Sequence, residues 1–512
     1  MSINRRIAFG AAASWFSRGV TILLGLVLMP VLFRHLPKEE LGVWLLLGQS
    51  WAALGILDLG FGVTFTRRIA FAKGKSGGDP SAPLADETLR DIADLVATGR
   101  RVYHLLAFAA FAISFGGGFF YLRGLDLHGL SLPAVWLAWS VLCLSQAFSV
   151  WATVWTCVLQ GVGYIGWDAI LASFVNSLTL AAQIIAALLG GGLVSLAIVA
   201  ACGALVQRFV LLAFARNRRP ELFQLRGRWK PELLRNMAPL AIRAWLTALG
   251  TVIIHNSDQF FIAGFAGAEK LPSYRAAYLV ILNLHMLAGV FGSASSPFVS
   301  QLWMNGDQEG VRKIVKRNLR IGLLLVMSGV GCVLALGQSL FDVWLGAGNF
   351  IGYPVLIVFS VLFILEQQSF VMSTSCRATE DEAFSGWSMA AGALKIVLTF
   401  ILLGRFGLVG IALGTLFAQL LTNHWFMVFR TLQRLGMSLA DHILNTILPC
   451  VLVMAGSGAA AWGVKQFFAG HSPAGMVVCG GVMSGTVLLV GLWLLVFDQA
   501  ERKRIVARVR PV

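Results

Sequence analysis

PAVWLAWSVLCLSQAFSVWATVWTCVL, residues 133–159, runs for 27 positions without a charged side chain. A helix needs about 20 predominantly apolar residues to cross the hydrocarbon core of a bilayer. The run is continuously apolar rather than alternating, so it does not read as a half-buried strand. Outward from it, runs of the same kind recur at roughly 7–33, 42–66, 102–122, 169–189, 193–215, 238–266, 273–301, 320–341, 353–375, 383–402, 408–429, 445–468 and 475–497, which makes fourteen. Of the 512 residues, 57% are hydrophobic and only 12% charged, with a mean hydropathy of +0.78. A soluble domain carries about a quarter charged residues. The composition therefore excludes a soluble multidomain enzyme, a secreted disulfide scaffold and a disordered chain. It predicts an all-α polytopic membrane protein with about 14 transmembrane helices.

The first run reads as a retained helix rather than a cleaved signal, because Arg18 interrupts its apolar stretch and the run continues past Pro30. With the N-terminus inside, 29 of the 40 Lys and Arg residues fall in inside segments, six fall outside and five lie within spans. That asymmetry places both termini in the cytoplasm and explains the net charge of +16 without nucleic acid. The seven cysteines lie in or beside apolar runs without metal-ligand spacing and read as reduced packing residues. Lys73-Gly74-Lys75-Ser76 ends like a phosphate loop, but Ile69 stands where its first glycine belongs, so no nucleotide hydrolysis is expected. No outside loop exceeds about a dozen residues, which leaves no external catalytic domain. Val311 to Arg320 alternates apolar and basic residues and predicts a short interfacial helix touching anionic lipid headgroups.

Fixed-offset similarity points to duplication. Gly192-Leu193-Val194 with Ala197 opens the sixth span, and Gly407-Leu408-Val409 with Ala412 opens the twelfth. Cys157 precedes Gly166-Trp167 as Cys376 precedes Gly386-Trp387. The expected plan is an N-lobe at 1–215, a basic cytoplasmic linker at 216–237, a C-lobe at 238–430, and two extra helices with a basic tail at 431–512. An even number of spans per half gives both halves one orientation, with a substrate path between them.

The stretch Arg34–Gly42 (RHLPKEELG), Trp44, Ile56-Leu57-Asp58-Leu59-Gly60-Phe61-Gly62 and Arg67-Arg68-Ile69-Ala70 resembles the first hairpin of the polysaccharide and O-antigen (Wzx-like) flippases. Those proteins form a branch of the multidrug/oligosaccharidyl-lipid/polysaccharide exporter superfamily. Leu159-Gln160-Gly161, Asp258 with Gly264, Tyr274 with Ala276-Ala277, and Trp344-Leu345-Gly346 extend the likeness. The resemblance covers nearly the whole chain, and its motifs are short. It implies alternating-access export, without ATP, of an undecaprenyl-(pyro)phosphate-linked oligosaccharide across the bacterial inner membrane for surface polysaccharide synthesis. The implied partners are that lipid-linked oligosaccharide, membrane lipids, a glycan polymerase and glycosyltransferases, with no nucleic acid. Neither a metal nor an organic cofactor is implied. Rival readings are a multidrug or cation antiporter, a lipid II flippase of the same superfamily, and a membrane glycan polymerase or ligase.

Ionisable groups inside a bilayer are costly and mark a partner, a cavity or a function. Arg18 in span 1 and Arg243 in span 7 occupy equivalent helices of the two halves and are candidate clamps for a lipid pyrophosphate, since arginine grips phosphate bidentately. The competing reading is that each neutralises a neighbouring carboxylate. Glu366 in span 10 and Lys395 in span 11 either pair with each other or form a titratable site that couples export to H+ or Na+. Asp58 and Asp258 are further coupling candidates, although Asp58, followed by Gly60 and Gly62, also reads as a helix cap. Arg208 and His424 read as snorkelling groups, and His285 as a packing histidine or a proton relay.

Overall fold

The protein is described here from a computed structural model, over residues 3–76, 83–125, 129–224, 227–379, 381, 384–468, 472–497, 499 and 502. Among these residues there is no β-strand, and the chain forms two compact units, Met1–Pro272 and Ser273–Val512. The first contains α1 (Ile3–His35), α2 (Lys38–Ala53), α3 (Phe61–Gly74), α4 (Asp86–Arg123), α5 (Leu132–Val162), α6 (Ile165–Leu188), α7 (Leu193–Arg218), α8 (Glu221–Gln224), α9 (Pro231–Asn256) and α10 (Asp258–Phe261). The second contains α11 (Leu271–Met304, beginning at the boundary), α12 (Gln308–Leu345), α13 (Tyr353–Ala378), α14 (Ser385–Gln419), α15 (Trp425–Leu435), α16 (Leu439–His442), α17 (Leu448–Phe467) and α18 (Pro473–Leu495).

Eleven helical stretches of the described residues are long and apolar enough to cross a membrane. Of the fourteen apolar runs, the first and seventh are not among these eleven, and the eleventh and twelfth fall within one stretch, Gly386–Leu435. The apolar runs 383–402 and 408–429 meet within α14, where the chain turns back at Gly407 (φ 56°, ψ −133°) and brings Gly414 against Thr399, so they are two helices rather than one. The second expected run is among the eleven as Lys38–Asp58, and its end is broken before α3. After α2 the chain tightens into a 3-10 turn at Leu54–Asp58, and Leu59 and Gly60 then take left-handed φ values of 52° and 73° before α3 starts. The break follows from sequence: Asp58 accepts the backbone N–H groups of Gly60 (2.6 Å) and Gly62 (3.1 Å), capping α3. A Cβ at Gly60 would run into the carbonyl oxygen of Ala241 on α9, so the turn and α9 touch backbone to backbone.

The interfacial helix expected at Val311–Arg320 is instead the opening of the 38-residue α12. Val311, Val315 and Leu319 repeat every fourth residue and are fully buried, so this apolar face packs into the protein rather than lipid. Its basic residues cap carbonyls: Arg312 donates to Leu435 O (2.6 Å), and Arg320 donates to Asn445 O and Leu495 O. Along the spans the usual inside-out rule inverts, as a lipid solvent demands. Phe108, Phe120 and Leu452 are 74%, 79% and 66% exposed. Helices pack where small side chains let them approach. Ser328, Ser457 and Ser484 hydrogen-bond among α12, α17 and α18, which fastens the last two long helices to α12.

Each unit has an aromatic corner of similar geometry. Tyr164 meets Phe214 edge-on (5.8 Å, 85°) while Trp167 lies tilted on the same ring (5.7 Å, 31°). In the second unit Phe384 meets Phe426 edge-on (6.1 Å, 77°), and Trp387 lies tilted on it (5.0 Å, 30°).

Candidate functional site

The polar interior of the second unit is built on α13. Within FILEQQSF, Glu366 and Ser369 are three residues apart and share a face, while Gln367 is fully buried on the next. Opposite them α14 runs into a π-turn at Leu420–His424. In such a turn five residues make little more than one revolution, so Gln419 and His424 come round to one side. There Gln419 lies beside the Glu366 carboxylate, and the Ser369 hydroxyl shares a hydrogen bond with His424 Nδ1 at 2.8 Å. Lys395 of α14, a helix that packs against α13, is 0% exposed. His285 of α11 faces Gln367 and meets the edges of Phe363 and Phe370, each 5.7 Å away. The π-turn is the feature the sequence did not announce. The polar run Gln367-Gln368-Ser369 in an apolar span was its available signal. His424 is thus part of an interior pair, not a snorkelling group.

The first unit places its charges differently. Arg208 on α7 is half-buried and donates to Thr156 of α5 (2.9 Å), and Gln160 of α5 donates to Asp168 of α6 (2.7 Å). This set ties α5, α6 and α7 together, and snorkelling does not describe Arg208. Asp58 is fully occupied as the cap of α3 described above. Asp258 is buried at the start of α10, after the chain leaves α9 at Ser257. Helices α1 and α9 carry Arg18 and Arg243, whose side chains lie outside the described residues.

Each unit also holds an apolar cavity. One of about 400 Å³ is lined by Leu46, Leu57, Ile113, Tyr121 and Trp139, and another of about 370 Å³ by Leu284, Gly329, Leu336, Gly481 and Leu488. Neither includes the ionisable candidates. Outside the spans, hydrogen bonds to Asp91 and Glu87 push the Lys75 ammonium up, and one to Asp94 does the same for Lys230. Among the described residues no three His, Cys, Asp or Glu gather as metal ligands.

Residues 8–303, more than half of the chain, match the sequence profile of a family described as polysaccharide biosynthesis protein. The chain belongs to that family. The chain is similar to the uncharacterized membrane protein EpsK of Bacillus subtilis (strain 168), 22% identical over 277 residues, 52% of this chain. The match spans 54% of that relative's length. Among solved structures, a lipid II flippase, MurJ, in an inward closed conformation superposes with a TM-score of 0.66 at 14% identity, covering 94% of this chain and 97% of its own. An inward-facing multidrug-resistance MATE transporter gives 0.63 at 15% identity, with 85% and 96% covered. The MATE multidrug transporter DinF-BH, in complex with R6G, gives 0.58 at 14% identity, again with 85% and 96% covered. The described chain is therefore all-helical and multi-pass, with the fold of these flippase and transporter structures.

Proposed function

We propose that the protein flips an undecaprenyl-(pyro)phosphate-linked oligosaccharide across the bacterial inner membrane by alternating access, coupled to H+ or Na+ through Glu366 and Lys395. The family match over residues 8–303 carries this reading, because the polysaccharide biosynthesis family, joined to a transporter fold, points to a glycan carried on lipid. The half-buried Glu366 and the fully buried Lys395 on neighbouring helices supply the ionisable groups that coupling requires. Arg18 and Arg243 are assigned to the pyrophosphate, since a planar guanidinium binds it bidentately and an ammonium does not. Both termini are assigned to the cytoplasm on the charge asymmetry.

The test measures lipid-linked intermediates in cells carrying Arg18→Ala, Arg18→Lys or Arg243→Ala, with membrane levels of each variant checked. A headgroup left partly unpaired should cost about 2–5 kcal/mol of binding, so undecaprenyl-linked glycan should accumulate, with weak rescue by lysine. Accumulation of lipid II instead would identify a peptidoglycan-precursor flippase. Well-inserted Arg18→Ala with wild-type export removes the arginine clamp. Reporter fusions after Lys75 and Arg228 should read cytoplasm, and one at Gly348 the outside; an external reading after Arg228 overturns the topology.

A further inference from the structure

The segment between α8 and α9 is charged and reads from sequence as a loose linker, yet it is stitched to α4. The Asp94 carboxylate accepts the backbone N–H of Arg228 through one oxygen (2.7 Å) and the Lys230 ammonium through the other (2.6 Å). One turn further along α4, the Thr98 hydroxyl accepts the backbone N–H of Lys230 (3.2 Å), and Arg101 lies over the Trp229 ring at 5.4 Å. Gly227 sits so close to the Ala93 carbonyl that no Cβ fits there. The bound residue leaves no slack: Lys230 is the N-cap of α9, and Pro231 fixes its first helical turn. Helix α4 has 38 residues, about 57 Å at 1.5 Å per residue against about 30 Å of hydrocarbon, so Asp94 and Thr98 stand on its projecting end.

Two features make this fastening a latch rather than a permanent seam. Helix α9 packs on α2, α3 and α4 of its own unit by only a few close approaches, so its start can part from α4 without unpacking a large interface. The Lys230 end of the ion pair is also accessible to water, its side chain 50% exposed against 16% for Asp94. A solvent-exposed ion pair is weak enough to open and close.

We propose that Asp94 is the positioning residue of a cytoplasmic latch that holds the start of α9 on α4, and that this latch opens in each transport cycle. The proposal rests on the transport reading for its role in the cycle, but the latch itself is tested without any substrate. In membrane vesicles exposing the cytoplasmic face, trypsin should cut after Arg228 slowly in the wild type and at least tenfold faster in Asp94→Lys. The swapped pair Asp94→Lys with Lys230→Asp should return cleavage towards the wild-type rate. A merely destabilised protein would not recover this way. Unchanged cleavage in Asp94→Lys, or no recovery in the swap, overturns the latch.

For the cycle, cysteines at Thr98 and Lys230 in a Cys202→Ser background fasten the same segment to the same helix when oxidised. Export should stop on oxidation and resume on reduction. Full export by the oxidised protein overturns the opening step and leaves a permanent strap. If the reduced wild type moves no lipid-linked glycan at all, the transport reading fails while the proteolysis result stands.

Discussion

In the first unit Tyr164 and Trp167, at the start of α6, close on Phe214 near the end of α7. In the second, Phe384 and Trp387, at the start of α14, close on Phe426 in the first turn of α15, with nearly the same two ring angles. The polar residues packed beside these corners are not repeated. The first unit runs α7 as regular helix and uses Arg208, Gln160 and Asp168 to tie helices together. The second inserts a π-turn and brings Gln419 and His424 round to face Glu366 and Ser369. The difference separates two kinds of packing. Ring packing depends on shape alone and is present in both units. Buried polar groups require every partner in register, so a local change of helix type gives one unit a different interior.

The sharpest way to break the comparison is to remove the shared ring. Phe384→Ala and Tyr164→Ala should each destabilise the protein by about 3 kcal/mol or more, because both rings are buried and leave cavities. Thermal unfolding in detergent measures this, and a large loss in one variant only would show that the two corners do unequal structural work.

Next in size is the charge difference. Glu366→Gln should lower export about tenfold, equivalent to roughly 1.4 kcal/mol in the barrier. Asp58→Asn, which keeps an acceptor oxygen for Gly60, should leave export within about twofold and cost only the second cap bond, about 1 kcal/mol of stability. If Glu366→Gln and Lys395→Met each lose export and the double variant regains it, the pair is structural and the coupling assignment falls. Equal losses in Asp58→Asn and Glu366→Gln would instead spread coupling over both units.

The smallest effect concerns the π-turn. Ser369→Ala removes the partner of His424 Nδ1 and should cost about 1 kcal/mol of stability, read as a shift in the unfolding midpoint. No shift would mean that the π-turn is held by backbone packing rather than by its facing pair.

Much was legible before any fold was known. Runs such as 133–159 fix the solvent as lipid, and in lipid a lone segment satisfies its backbone only as a helix, so the all-helical architecture follows from composition. The Gly-Trp matches fall at the two aromatic corners, because the residues opening a helix are local signals. The turn at Asp58 was half-readable, since an aspartate before two glycines is a capping pattern. What the sequence did not contain was partnership across distance. Val311, Val315 and Leu319 read as a lipid-touching face because nothing local says that Leu432 and Leu435 cover them. His424 and Arg208 read as snorkelling groups because Ser369 and Thr156 are 55 and 52 residues away along the chain. The basic segment at 227–230 read as a linker because Asp94, its keeper, lies 134 residues before Arg228. Hydropathy and caps are properties of neighbours in sequence, and they determine where helices form. Which buried polar group meets which is settled only when helices pack, since any of several faces could have turned inward and tertiary contact selects one.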